Sequence, residues 1–176
     1  MKLEGIWAPI PTPFSGGEID YDHLAENLEK WEGTKLAGLV VLGSNGEFVL
    51  LDEDEKVSLV SFVRRRYRAD RPVIAGTGCE CTAATIRLTK KCADVGAAAA
   101  LVINPSYYKG GMTDAALRRF YSTVADASPI PVVLYNMPRN TGINLSSSLA
   151  VELSAHPNII GIKDSSGNIV QMSEIV

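Results

Sequence analysis

The feature that most constrains this chain is a repeat. Short runs rich in Val, Ile and Leu recur at residues 5–10, 38–42, 73–75, 99–103, 132–135 and 159–163. Their starts lie about 30 residues apart, the size of one strand plus one helix. Several runs are apolar without alternation, as parallel strands buried on both faces are. The segments between them have helical spacing. Residues 20–31 put Leu24, Leu28 and Trp31 on one face. Residues 52–68 open on Asp52, Glu53, Asp54 and Glu55 and close on Arg64, Arg65, Arg66 and Arg68, an order that complements the helix dipole. Residues 82–95 and 113–127 each begin at a threonine able to cap a helix. A shorter helix is expected over 146–155, and another begins near Asn168. No linker or low-complexity segment interrupts the series, so residues 1–176 read as one α/β domain.

Two architectures are built from such units: a doubly wound open sheet and a (β/α)8 TIM barrel. The first needs a glycine fingerprint after its first strand, and that position reads Ile10-Pro11-Thr12-Pro13-Phe14. Polar and glycine-rich punctuation instead follows nearly every strand: Gly43-Ser44-Asn45-Gly46-Glu47, Gly76-Thr77-Gly78, Asn104-Pro105, Asn136-Met137-Pro138 and Asp164-Ser165-Ser166-Gly167. In a barrel these ends converge on one rim, where sites are built. The barrel is therefore expected, but it takes about 250 residues. The 176 residues here hold about six units, so the expectation is a barrel without its seventh and eighth strands.

Charge and composition exclude several function classes. Seventeen Lys+Arg stand against 20 Asp+Glu, a net charge of −3, with no basic excess for nucleic acid or a membrane surface. No apolar run reaches the ~18 residues of a membrane span, and no charged leader precedes an apolar stretch at the N-terminus. A cytoplasmic protein is expected. Cys79, Cys81 and Cys92 read as reduced thiols. Cys79-x-Cys81 lacks a second pair and ligand-spaced histidines, so no zinc site is expected. No acidic cluster at the strand ends suggests magnesium. His23 and His156 fall away from the strand ends. Chemistry without metal or cofactor remains.

Lys163 is the most informative residue, at the end of Asn158-Ile159-Ile160-Gly161-Ile162. An ammonium there is expensive to desolvate, which favours the neutral, nucleophilic amine that forms Schiff bases. A lysine that snorkels its head to water fits the same position. The other lysines (Lys2, Lys30, Lys35, Lys56, Lys90, Lys91, Lys109) fall on helix faces or loops and read as solvated charge. Tyr135 ends the fifth strand in the same way, either as a proton-transferring phenol or as a core tyrosine. Tyr107-Tyr108 follow the fourth strand and suit packing, an interface or the site. Gly43–Glu47 can turn tightly and present amide N–H groups to a carboxylate, or can be a plain loop.

Together these motifs resemble the dihydrodipicolinate synthase / N-acetylneuraminate lyase family of pyruvate-type class I aldolases. The resemblance is carried by Gly43–Glu47, Tyr107-Tyr108, Tyr135-Asn136-Met137-Pro138 with Thr141-Gly142, and Gly161-Ile162-Lys163-Asp164, in that order on successive strands. It implies that Lys163 forms the Schiff base with the keto carbon of a 2-oxo acid and that Tyr135 shuttles the proton. It implies that Ser44 and Tyr108 extend the relay, Tyr108 reaching the site of a neighbouring subunit in a homo-oligomer. Ser44 and Asn45 would hold the substrate carboxylate, and Ser165 would contact substrate beside the imine.

The chain also departs from the family pattern. Dihydrodipicolinate synthases usually show two threonines where this chain has Ser44-Asn45, and an arginine just before Thr-Gly. Here that position is Asn140, with Arg139 one residue early. Ser44-Asn45, residues 78–82 and Asn140-Thr141-Gly142 are similar to the 4-hydroxy-2-oxoglutarate aldolase branch. The expected reaction is cleavage of 4-hydroxy-2-oxoglutarate to pyruvate and glyoxylate. The alternatives are condensation of pyruvate with aspartate semialdehyde, another 2-oxo sugar-acid lyase or dehydratase, or a non-catalytic fragment that assembles with a partner.

Overall fold

The computed structural model describes all 176 residues, Met1–Val176. Six parallel strands form its main sheet: β1 (Trp7–Pro9), β4 (Gly38–Val41), β5 (Val73–Gly76), β6 (Ala99–Ile103), β7 (Val132–Asn136) and β8 (Ile159–Asp164). Their spatial order is β1-β4-β5-β6-β7-β8, which is also their chain order. A doubly wound sheet reverses its order at a switch point, and this one never does. The steady progression is that of a barrel arc of six strands.

The helices between the strands are α1 (Tyr21–Glu32), α2 (Glu53–Arg66), α3 (Thr82–Asp94), α4 (Asp114–Ala127), α5 (Pro138–Thr141), α6 (Ser147–Ser154) and α7 (Ile169–Ile175). The sequence placed all but α5, and the structure moves most of their ends by one or two residues. Asp52 is the N-cap of α2: it accepts from the Glu55 amide at 2.8 Å while the Glu55 carboxylate accepts from the Asp52 amide at 2.8 Å. That reciprocal pair satisfies two donors that a helix start leaves free. Thr113 caps α4 as expected, accepting from the Ala116 amide. Thr82 does not cap α3; Cys81 occupies that position and Thr82 is the first helical residue. A hairpin, β2 (Phe14–Ser15) with β3 (Glu18–Ile19), turns at Gly16-Gly17, both at positive φ.

Two apolar layers flank the sheet. Outside, the strands pack on the helices through residues such as Val41, Leu59 and Val63 at one end and Val102, Phe120 and Leu149 at the other. Inside, Val40, Ile74, Ala99, Leu101, Val133 and Tyr135 form a smaller cluster with Trp7 and Ile160 against it. The central strands β4, β5 and β7 are buried along their whole lengths, which explains their unbroken apolar sequences. No helix is long and apolar enough to cross a membrane.

One ion cluster ties neighbouring helices on the outer surface. Glu53 of α2 accepts from Arg87 Nη2 at 2.8 Å and from Lys91 Nζ at 2.7 Å, both on α3. Those bonds hold its carboxyl at about 2, against an ordinary 4.5. A carboxyl lowered on folding stabilises the fold fully above its unfolded value, and the contribution is lost as pH falls through the folded one. Glu53→Gln is therefore expected to lower the melting temperature at pH 7. The two proteins should converge as pH drops from 4.5 towards 2, as thermal melts across that range would read.

Candidate active site

The C-terminal ends of the strands meet at one rim. Tyr135 and Lys163 are register partners on β7 and β8, so their side chains leave the sheet on the same face. Lys163 Nζ lies 4.3 Å from the centroid of the Tyr135 ring. No carboxylate lies within 4.0 Å of that amine. Lys163 is half-buried and borders an apolar cavity of about 280 Å³ lined by Leu3, Trp7, Val40, Ile74 and Val133.

The Tyr135 hydroxyl faces the third member. Its ring is 3% exposed, and its oxygen lies 3.2 Å from Ser44 Oγ, with either atom able to donate. Ser44 begins a short 3₁₀ turn, Ser44–Gly46, after β4. Local strain places that turn. Leu42 sits at φ 60 and Glu47 at φ 53, left-handed conformations unusual for these residues. Gly76 on the neighbouring strand makes room for the Leu42 turn: a Cβ there would lie 1.9 Å from the Leu42 carbonyl oxygen. The amides of Ser44 and Asn45 make no backbone hydrogen bond, and Asn45 is exposed.

A larger cavity of about 460 Å³ adjoins Ser44 and extends over Glu47, Lys56, Glu80, Asn104 and Asn140. It does not include Lys163. Ser44 lines this cavity and also faces the Tyr135 hydroxyl, so it borders both the cavity and the row that ends at Lys163. Lys56 of α2 is half-buried and lines this cavity. Asn140 lines it too, whereas Arg139 is exposed and does not.

The remaining expected residues are more scattered. Tyr108 is 77% exposed, stacked edge-on against Tyr107 at 5.0 Å, and its hydroxyl bonds to nothing in its own chain. Ser165 is half-buried, and its amide donates to the Asn136 carbonyl at 2.9 Å. His23 pairs with Asp20 and His156 with Asp126, both away from the rim. No group of three or more His, Cys, Asp or Glu side chains is placed to hold a metal. The three cysteines are free; burial pushes the Cys92 thiol up to about 12.

Two structural groups were missed from the sequence. Glu80 accepts from the Ser106 amide at 2.8 Å, the Ser106 hydroxyl at 2.9 Å and the Tyr107 amide at 2.9 Å, fixing the loop that carries Tyr107-Tyr108. Burial pushes its carboxyl up, but these bonds outweigh burial and leave it below the ordinary range. Asp164 is the second. Burial opposes its charge, and bonds from Asn136, Ser166 and Gln171 prevail, so it too lies below the ordinary range. Glu80 stood in a Gly-Cys-Glu-Cys stretch and Asp164 among strand-end punctuation, with no local pattern to name their partners.

Comparisons with known proteins follow the same lines. The sequence pattern described as the Dihydrodipicolinate synthetase family matches residues 2–176. A 4-hydroxy-tetrahydrodipicolinate synthase from Geobacter metallireducens is 38% identical over 99% of this chain and 59% of its own length. A probable mitochondrial 4-hydroxy-2-oxoglutarate aldolase from Emericella nidulans is 40% identical over 99% of this chain and 58% of its own. Dihydrodipicolinate synthase from Acinetobacter baumannii, solved with pyruvate, superposes with a TM-score of 0.94 at 34% identity, covering 99% of this chain and 60% of that one. This chain thus spans about three fifths of the length of the proteins it matches.

Proposed function

The chain belongs to the dihydrodipicolinate synthetase family, and from that membership we propose a Schiff-base carbon–carbon lyase acting on a 2-oxo acid. The observation that carries this reading is the row Lys163, Tyr135, Ser44: an amine 4.3 Å from a ring whose hydroxyl lies 3.2 Å from a second hydroxyl. We read residues 1–176 as about six units of one eight-unit barrel domain, with the site on the rim those units share.

The proposed substrate is 4-hydroxy-2-oxoglutarate. Lys163 attacks its keto carbon, and loss of water leaves an iminium. The 4-hydroxyl gives up its proton, the bond between carbons 3 and 4 breaks, and glyoxylate departs. The bonding pair moves into the iminium, leaving an enamine that takes a proton at carbon 3. Water then releases pyruvate and restores the amine. The iminium is the electron sink, and no cofactor is needed. Tyr135 and Ser44 carry the protons between oxygen and carbon. The Ser44 and Asn45 amides hold the 2-oxo acid carboxylate; that neither makes a backbone hydrogen bond supports this role. Ser165 contacts substrate beside the imine. Tyr108, exposed on its own chain, serves the site of a second copy in a homo-oligomer.

Asn140 favours this reading over condensation of pyruvate with aspartate semialdehyde. It lines the cavity where a synthase of this family usually carries the arginine that clamps a second carboxylate. The 38% identical synthase keeps the condensation as the second reading. Parallel assays separate them. Release of pyruvate from 4-hydroxy-2-oxoglutarate without condensing activity is expected. Activity in the condensation alone would overturn the substrate assignment.

A further inference from the structure

We propose that Asn136, Asp164 and Gln171 form a clasp that sets Lys163 against Tyr135, which makes them positioning residues. The need for one arises in the β7–β8 ladder. Val132 pairs with Ile159, but the next rung pairs Val133 with Gly161, so β8 carries Ile160 as an extra residue. Above this bulge the rungs are Leu134 with Ile162, Tyr135 with Lys163, and Asn136 with Asp164. A one-residue slip in this stretch would turn Lys163 to the opposite face and bring Asp164 onto the face of Tyr135. The apolar pattern of β8 opposes such a slip weakly. Residues 160–164 are all half-buried, in contrast to the fully buried β7.

The register is instead fixed at the top rung, on the face away from Lys163. Asp164 Oδ2 accepts from Asn136 Nδ2 at 2.8 Å and from Gln171 Nε2 at 3.2 Å. Asp164 Oδ1 accepts from the Ser166 amide at 2.8 Å and from the Ser166 hydroxyl. Asn136 is held in turn: its Oδ1 accepts from the Leu145 amide at 2.9 Å, and its Nδ2 also donates to Asn144 Oδ1 at 2.9 Å. Asn144 Nδ2 closes the ring by donating to Gln171 Oε1 at 2.7 Å. Asn136 is fully buried, and Gln171 is the buried residue of α7. This arrangement is favoured because a slip of the top rung would leave the buried Asn136 amide without its Asp164 partner. Asn136 and Asp164 each follow a residue of the proposed site by one position, so holding their rung holds the rung below it. The inference rests on the lyase reading only where kinetics are measured.

The test uses selectively ¹³C-lysine-labelled protein with Asp164→Ala and Gln171→Leu variants. The Lys163 ε-methylene resonance is assigned by its loss in Lys163→Arg. In the wild type the Tyr135 ring should shift it away from the other lysines. Both variants should return it towards the common position. Asp164→Ala should also slow borohydride trapping of pyruvate by about 10²-fold, the scale of an ångström-sized misplacement. If Asp164→Ala fails to fold, Gln171→Leu decides by the same resonance. A resonance that stays shifted in the folded variants would overturn the clasp. A wild type that shows the shift but traps no pyruvate would overturn the lyase reading and leave the clasp to be judged by the resonance.

Discussion

Replacing Lys163 by alanine is expected to abolish the pyruvate adduct and to lower turnover by on the order of 10⁵-fold or more, as loss of a covalent nucleophile does. The effect should be chemical and not structural. Lys163 forms no ion pair, and its backbone stays in the β7–β8 ladder whatever its side chain. The melting temperature should therefore change little. Lys163→Arg sharpens the point. It keeps a long cationic side chain under the rim but offers no amine that can be deprotonated, so it should be as inactive as alanine. Steady-state assays with thermal melts of both variants measure this. Residual turnover within a few-fold of wild type would contradict the account.

The second large effect belongs to Tyr135→Phe. The substitution keeps the ring that faces Lys163 and removes only the hydroxyl, whose neighbour is Ser44 Oγ at 3.2 Å. Loss of a positioned acid–base group costs about 10²–10⁴ in kcat. KM should move little, because the carboxylate contacts assigned to Ser44 and Asn45 remain. The adduct on Lys163 should still form, more slowly, since the amine is untouched. A kcat equal to wild type would make Tyr135 a core residue and nothing more.

The main sheet was legible because parallel strands buried on both faces have unbroken apolar sequences, and β4, β5, β6 and β7 are of that kind. Strand order was not written in any one segment, and the choice of barrel over doubly wound sheet rested on the missing glycine fingerprint and on the polar punctuation after nearly every strand. The structure supports it through the unreversed order of six strands. The β2–β3 hairpin was overlooked although Ser15-Gly16-Gly17-Glu18 carries the signal of a tight turn; its strands are two residues each, too short for periodicity. Capping of α3 was misplaced by one residue because Thr82 has the better capping side chain, while the chain turns into the helix at Cys81.

In the candidate site, Lys163 and Tyr135 could be singled out because each is a polar residue ending an apolar strand. Their juxtaposition depends on a register that includes the bulge at Ile160, and no sequence rule supplies that register. Ser44 is drawn to Tyr135 by a strained turn across 91 residues of chain, which only the folded sheet reveals. That Lys56 borders the larger cavity was equally hidden, because it lies on a helix whose charged sequence does not tell which side chain faces a neighbouring loop.

Lys163 as the Schiff-base residue is to be told from Lys56, the lysine that lines the neighbouring cavity. The most direct measurement is borohydride reduction in the presence of pyruvate, followed by peptide mass mapping. A single reduced pyruvate is expected on the peptide containing Lys163 and none on the peptide containing Lys56. An adduct on Lys56, or no adduct on well-folded protein, would contradict it.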